Sequence, residues 1–176
     1  MTNKILAVCL DCGDTLIDES TEVKDEREVS LRADLIPGAD QLMQKLKHRN
    51  YPLALVADGP TATFVNNLAP YGLYELFDVY AISEVLGVEK PHPRIFEYAL
   101  DQLQISRRDY SNVVMVGNNL SRDVKGANEL GIISVWLDWA PRRHKIPLDD
   151  TERPRFTIQT PLELLDVLES IEQRSP

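Results

Sequence analysis

Apolar residues fall along this chain in short runs that end at polar turns, with longer stretches of helical spacing between them. Ile5–Leu10 is the first run and stops abruptly at Asp11. Leu53–Ala57, Phe77–Ile82, Val113–Val116 and Ile132–Leu137 repeat the pattern. Short aliphatic runs of this kind predict strands of a parallel sheet buried on both faces. Pro37-Gly38 opens a helix that carries Leu42 and Leu46 and ends in Lys47, His48 and Arg49. Proline at the start and bases in the last turn suit the backbone dipole. Further helices are expected over Thr61–Leu68, over Pro91–Gln104 with Ile95, Phe96, Ala99, Leu100 and Leu103 on one face, and over Ser121–Leu130, stopped by Gly131. A last helix starts at Thr160, its expected N-cap, and carries Leu164, Leu165, Val167 and Leu168.

Strands alternating with helices predict an α/β fold: a three-layer sandwich with a central parallel sheet of about five strands and helices on both faces. Two stretches lie outside this pattern. Residues 17–34 are polar and acid-rich, with Val23, Val29 and Leu31 the main apolar exceptions, and read as a flap over the sheet edge. Arg142–Arg155 reads as a charged loop. With no repeat, linker or low-complexity tract, residues 1–176 read as one domain.

Composition narrows the function classes. Lysine and arginine number 19 against 28 acids, a net charge of −9, which argues against broad binding to nucleic acid or anionic membrane. No apolar run approaches the ~20 residues that span a bilayer, and Met1-Thr2-Asn3-Lys4 leaves no room for a signal peptide, so a cytoplasmic location is expected. The two cysteines, Cys9 and Cys12, lack the second pair that a structural zinc requires and point to opposite sides of an extended strand. Trp136 and Trp139 read as packing residues, and His48, His92 and His144 as ordinary ones.

In a parallel sheet the carboxyl ends of the strands meet at one edge, where ligands bind. Four polar segments converge there: Asp11 to Thr15, Ala57-Asp58-Gly59, Lys90-Pro91, and Gly117 to Asp123. Taken singly, Asp11 would be a turn residue, Lys90 a surface lysine and Asp123 a first-turn helix acid. Together they suit a divalent cation and a phosphate: Mg²⁺ takes oxygen ligands and water, and lysine supplies a point charge for phosphoryl oxygens.

These residues also carry a resemblance. The chain resembles the haloacid dehalogenase superfamily through Asp11-Cys12-Gly13-Asp14-Thr15-Leu16, the strand Leu53 to Asp58, Lys90-Pro91-His92-Pro93-Arg94-Ile95-Phe96, and Val116-Gly117-Asn118 continuing to Asp123-Val124-Lys125-Gly126-Ala127. The resemblance implies a Mg²⁺-dependent phosphatase. Asp11 would be the nucleophile that forms an aspartyl-phosphate. Asp11, the Gly13 carbonyl and Asn118 would ligate Mg²⁺, with Asp123 assisting through water or by orienting Lys90. Lys90 would neutralise the transferring phosphoryl group, with Ala57, Asp58 and Gly59 beside the phosphate.

Three positions depart from the family pattern. Gly13 stands where an Asp ordinarily protonates the leaving group, a loss of ~10²–10⁴ in rate that favours acyl or aryl phosphates. Asp14, the next residue, reads as a turn residue. Ala57 or Asp58 replaces a hydroxyl that would bond the phosphate, leaving the backbone N–H groups of Asp58 and Gly59 to compensate. Asn118 replaces a metal-binding Asp and removes one negative charge. Two other readings follow: a lapsed phosphate- or partner-binding module on the same fold, and a dehalogenase, which the short flap and Gly13 disfavour.

Arg142, Arg143, His144 and Lys145 leave the fifth strand at the same edge and read either as an attractor for an anionic substrate or as a solvated loop. The chain has no room for a full cap domain. An open site implies a phosphorylated protein substrate, an oligomer or partner subunit serving as lid, or low specificity toward phosphorylated small molecules.

Overall fold

In the computed structural model, which describes residues 5–173, the strands in chain order are β1 (Ala7–Leu10), β2 (Ile17–Lys24), β3 (Ser30–Leu35), β4 (Leu53–Ala57), β5 (Val79–Ile82), β6 (Val113–Gly117), β7 (Ile133–Leu137) and β8 (Phe156–Ile158). The helices are α1 (Ala39–His48), α2 (Thr61–Leu68), α3 (Ser83–Leu86), α4 (Pro93–Gln102), α5 (Lys125–Leu130) and α6 (Leu164–Gln173). Six strands form one sheet in the order β5-β4-β1-β6-β7-β8, every neighbouring pair parallel. The first strand lies in its middle, in register with Leu53–Leu55 on one side and Val113–Val116 on the other.

Alternate side chains of each strand enter two separate cores. Val8, Leu10, Leu53, Leu55, Val114 and Val116 pack with Leu42, Met43 and Leu46 of α1 and Leu164, Leu165 and Leu168 of α6. Ala7, Cys9, Ala54, Val56, Val113 and Met115 face the other way, against Ile95, Phe96, Ala99 and Leu100 of α4 and Ala127 of α5. Each Leu or Ile fully buried this way contributes about 1.5–3 kcal/mol, so the two apolar faces hold the sheet as the middle of three layers. Cys9 and Cys12 fall in opposite cores and are both free thiols. No helix among the described residues is long and apolar enough to cross a membrane.

The structure differs from the sequence reading in five places. The sheet has a sixth strand, β8: this three-residue edge strand hides behind a charged loop and is anchored where the Ser134 hydroxyl accepts the Arg155 N–H at 3.0 Å. The apolar run Phe77–Ile82 loses Phe77 and Asp78 from its strand, because the Asp78 carboxylate accepts the Leu53 N–H at 2.8 Å and the Lys47 ammonium at 2.7 Å. Residues 120–124 form a π-helical turn before α5. Thr160 caps no backbone N–H; its hydroxyl donates instead to Glu163 at 3.1 Å, ahead of a 3₁₀ turn that precedes α6.

The fifth difference is the flap, which is an antiparallel hairpin of β2 and β3. The Ser30 N–H donates to the Thr63 hydroxyl at 3.1 Å, and the Ser30 hydroxyl and Asn67 amide, both buried, bond each other. Asn66 and Tyr71 donate to the carbonyls of Ser30 and Ala33. These bonds stitch β3 to α2 and its following turn, so the hairpin is a fixed wall beside the carboxyl edge of the sheet.

Candidate active site

The edge at the end of β1 is built by extending the strand pairing one residue: the Asp11 N–H donates to the Val116 carbonyl at 3.0 Å. The chain then turns sharply, with the N–H groups of Leu16 and Ile17 returning to the Cys12 carbonyl. Asp11 is thereby delivered into a cleft of about 400 Å³ that Gly13, Glu19, Asp58, Lys90, Asn118, Arg122, Asp123 and Arg143 also line.

Lys90 is the centre of this cleft. Its backbone N–H donates to Asp58 Oδ1 at 3.0 Å, which fixes the loop before α4 against the end of β4. Its ammonium reaches Asp11 Oδ1 at 2.8 Å, Asp123 Oδ1 at 2.7 Å and the Val56 carbonyl at 2.8 Å. The side chain is only 2% exposed, and burying an ammonium costs several kcal/mol unless it is paired. Burial alone would lower the Lys90 pKa; Asp11, Asp123 and Asp58 reverse this and raise it, so the lysine is charged.

Asp123 meets Lys90 because of the π-helical turn, whose wider coil sets Asp123 and Val124 N–H on the same Asn119 carbonyl. Its second oxygen accepts the Asn119 N–H at 2.9 Å. Burial pushes the Asp123 carboxyl upward against the pull of Lys90. Gly117 is required here, since a Cβ would lie 2.2 Å from the Asp123 carboxyl. Both Asp123 oxygens hold protein donors, the Lys90 ammonium and the Asn119 N–H, an arrangement that suits orienting Lys90, one of the two roles expected for it.

Asn118 lies 3% exposed opposite Lys90. Its amide nitrogen points at Asp11 Oδ2 (3.0 Å), the Gly13 carbonyl and the Thr15 hydroxyl (3.4 Å), while its Oδ1 is buried without a partner. Turning the amide over exchanges nitrogen for oxygen at equal volume. That would place three oxygens, from Asp11, Gly13 and Asn118, around one locus, an arrangement that only a cation between them would hold. Such a hard-oxygen set suits Mg²⁺, which keeps several waters and needs few protein ligands. No group of three His, Cys, Asp or Glu side chains gathers at metal-binding spacing among the described residues, so such a site would draw on one carbonyl and one amide beside Asp11. Trp136 holds the Asn118 carbonyl at 2.9 Å while packing on Leu120 and Val124, so it is more than a packing residue.

The expected phosphate-side residues divide. Asp58 and Gly59 line the cleft, but the Ala57 side chain lies in the core. The Gly59 N–H already donates to the Ser83 hydroxyl at 2.9 Å, so it does not compensate for the hydroxyl missing at position 57. Asp58 is occupied by the Lys90 N–H and by Arg122 at 3.2 Å, and burial raises its carboxyl pKa. Arg122, which the sequence reading passed over, is a part-exposed cation lining the cleft. Its only sequence signal was its place beside Asp123 in the first turn of a helix.

The basic run after β7 is also changed. Arg142 donates to both oxygens of Asp14, and Arg143 binds Asp14 Oδ2 at 2.9 Å and Glu19 Oε2. Lys145 pairs with Asp138. These three charges are paired within the protein, with Arg143 also lining the cleft. Asp14 is fully buried and holds φ at 50°, so it does turn the chain, and it also anchors the loop after β7. Glu19, from β2, fills the space beside Gly13: an ideal Cβ there would stand 1.8 Å from Glu19 Oε1. Burial raises the Glu19 pKa against the lowering effect of Arg143.

The comparisons agree with this architecture. The haloacid dehalogenase-like hydrolase family matches residues 9–131. A glyceraldehyde 3-phosphate phosphatase of Methanopyrus kandleri is 34% identical over 138 residues, 78% of this chain and 56% of its own length. A pyrimidine 5'-nucleotidase of Escherichia coli is 35% identical over 103 residues, 58% of this chain and 44% of its own. The chain thus spans about half the length of the curated relatives it matches. The crystal structure of a HAD phosphatase from Thermococcus onnurineus superposes with a TM-score of 0.74 at 21% identity, covering 92% of this chain and 97% of that one, a likeness of fold. With motif residues, six-stranded parallel sheet and family match coinciding at one cleft, the chain belongs to the haloacid dehalogenase-like hydrolase family.

Proposed function

We propose that this chain is a Mg²⁺-dependent phosphohydrolase that acts on phosphorylated small molecules through an aspartyl-phosphate on Asp11. The observation that carries the reading is the buried Lys90 ammonium held 2.8 Å from Asp11 and 2.7 Å from Asp123. A carboxylate nucleophile and a phosphate dianion repel each other. Lys90 and Arg122 set two cations against the carboxylates of Asp11, Asp58 and Asp123, which leaves the cleft short of positive charge. A divalent cation held by Asp11, the Gly13 carbonyl and the Asn118 amide oxygen would supply what is missing, by neutralising the phosphoryl oxygens and fixing them against the nucleophile.

In the first step an Asp11 oxygen attacks phosphorus while the bond to the leaving oxygen breaks. Lys90 lies against Asp11, where charge builds on the phosphoryl group, and Asp123 keeps its ammonium aimed there. Water then attacks the phosphorus of the aspartyl-phosphate, releases inorganic phosphate and restores the Asp11 carboxylate. Relatives named for glyceraldehyde 3-phosphate and for pyrimidine nucleotides support a small phosphate monoester as substrate. The open mouth supports either a small substrate or a lid from a second subunit.

The test measures phosphate release from a panel of triose phosphates, nucleoside monophosphates and nitrophenyl phosphate, with Mg²⁺ or with EDTA. Turnover that needs Mg²⁺ and falls by ~10⁴ or more in Asp11→Asn is expected. Metal-independent turnover, or turnover that survives in Asp11→Asn, overturns the reading.

A further inference from the structure

The chemistry above lacks a proton for the leaving oxygen, and position 13 carries no side chain to provide one. The space a side chain would take at Gly13 is nonetheless filled. Glu19 reaches in from β2 so that Oε1 lies 1.8 Å, and Cδ 2.7 Å, from where a Cβ on Gly13 would stand. A carboxyl group therefore sits beside the turn that delivers Asp11, although it comes from a different element.

The carboxyl is held in place from three sides. Its Oε2 is bound by Arg143, its backbone N–H donates to Asp14 Oδ1 at 3.2 Å, and β2 is pinned by its pairing of Ile17 with Leu35 and Asp18 with Asp34. Oε1 makes no hydrogen bond among the described residues and faces the cleft that Asp11, Gly13 and Lys90 line.

The other cleft acids are engaged. Asp123 holds Lys90 and the Asn119 N–H; Asp58 holds the Lys90 N–H and Arg122. Glu22 and Glu28, further out along the hairpin, share Lys24. Glu19 is the acid beside Asp11 that keeps an oxygen for a substrate.

Resting on the phosphohydrolase reading, we propose that Glu19 is the proton donor to the leaving oxygen, a carboxyl delivered by the hairpin into the place left empty by Gly13. As the Asp11 oxygen bonds to phosphorus and the bond from phosphorus to the leaving oxygen breaks, the Glu19 proton passes to that oxygen and the product leaves as a neutral alcohol. Arg143 holds the carboxylate that remains. When water attacks the aspartyl-phosphate, Glu19 takes the water's proton, which returns both carboxyl groups to their starting states. The reading changes the substrate class: alkyl phosphates with poor leaving groups become substrates, where Gly13 alone points to acyl and aryl phosphates.

The experiment compares kcat/KM for nitrophenyl phosphate, whose leaving group needs little help, with that for glycerol phosphate, whose leaving group needs a proton. Glu19→Gln, which keeps an acceptor for Arg143, should lose ~10²–10⁴ on glycerol phosphate and at least ~10-fold less than that on nitrophenyl phosphate. A Gly13→Asp change should be defective through its clash with Glu19, and Gly13→Asp with Glu19→Ala should regain glycerol phosphate turnover over Glu19→Ala alone. Equal losses of Glu19→Gln on both substrates, or no loss, overturn the proposal while the Asp11 chemistry stands. If Glu19→Gln unfolds, judged by circular dichroism, the double variant decides: no gain over Glu19→Ala rejects the proposal. Absence of turnover on both substrates in the unaltered protein, or turnover that survives in Asp11→Asn, defeats the phosphohydrolase reading and this proposal with it.

Discussion

Two corners of the molecule flank the Asp11 turn, and each buries charge in a different way. On one side Lys90 stands between Asp11 and Asp123, with side chains 2%, 13% and 1% exposed. On the other, Asp14 is fully buried beneath Arg142 and Arg143, whose side chains remain 39% and 31% exposed. In the first corner one cation faces a surplus of carboxylates, the imbalance on which the proposed cation site rests. In the second, two guanidiniums saturate Asp14 and Glu19, and only Glu19 Oε1 is left over. The first corner is poised for chemistry, and the second clamps the hairpin and the loop after β7 to the nucleophile turn. Both are assembled from distant segments, yet only the second draws on the hairpin.

The largest effect should come from Lys90→Ala. It leaves Asp11 and Asp123 buried beside each other without their cation, so unfolding by urea should show a loss of about 3–5 kcal/mol, with turnover gone. A loss below about 1 kcal/mol would mean that water reaches these carboxylates and that the corner is not the dry site described. Next comes Arg142→Ala with Arg143→Ala. Because these guanidiniums are part-exposed, the expected loss is smaller, about 1–3 kcal/mol, and Asp14→Asn in the same background should recover part of it. Were the pair of arginines a substrate attractor, KM for a phosphate would rise with stability unchanged, and the contrast between the corners would collapse. The smallest effect belongs to Arg122→Ala. The Arg122 end of its ion pair with Asp58 is well exposed and Asp58 keeps the Lys90 N–H, so the pair contributes about 0–1 kcal/mol and thermal unfolding should barely move while KM for a phosphate substrate rises.

Residues whose place depends on strand order were legible in the amino-acid sequence alone. Asp11 and Asn118 lie just beyond apolar runs, and a parallel sheet brings such ends together, whereas Lys90, which follows β5 only after α3, and Asp123, inside the π-helical turn, were picked out by the family motifs. The sixth strand escaped because three residues next to a charged loop carry too little pattern to register. The hairpin escaped for another reason. Its outer face is solvated, and its inner face buries only Ile17, Ala33 and the polar Ser30, which bonds Asn67 of α2, so period and register leave little trace in the sequence. Gly59 shows the opposite error: its N–H reads as free for phosphate in the sequence, yet Ser83, 24 positions later in the chain, holds it.

The sequence by itself determined that carboxylates and a lysine meet at one sheet edge, because buried aliphatic runs leave only their polar ends for chemistry. It also showed that Gly13 brings no acid of its own. Tertiary structure decided what fills that gap, how Asp14 spends the basic loop, and that the Asn118 amide faces Asp11 and Gly13. Each of those depends on how a hairpin or loop docks in space, and local hydrophobic periodicity carries no record of docking.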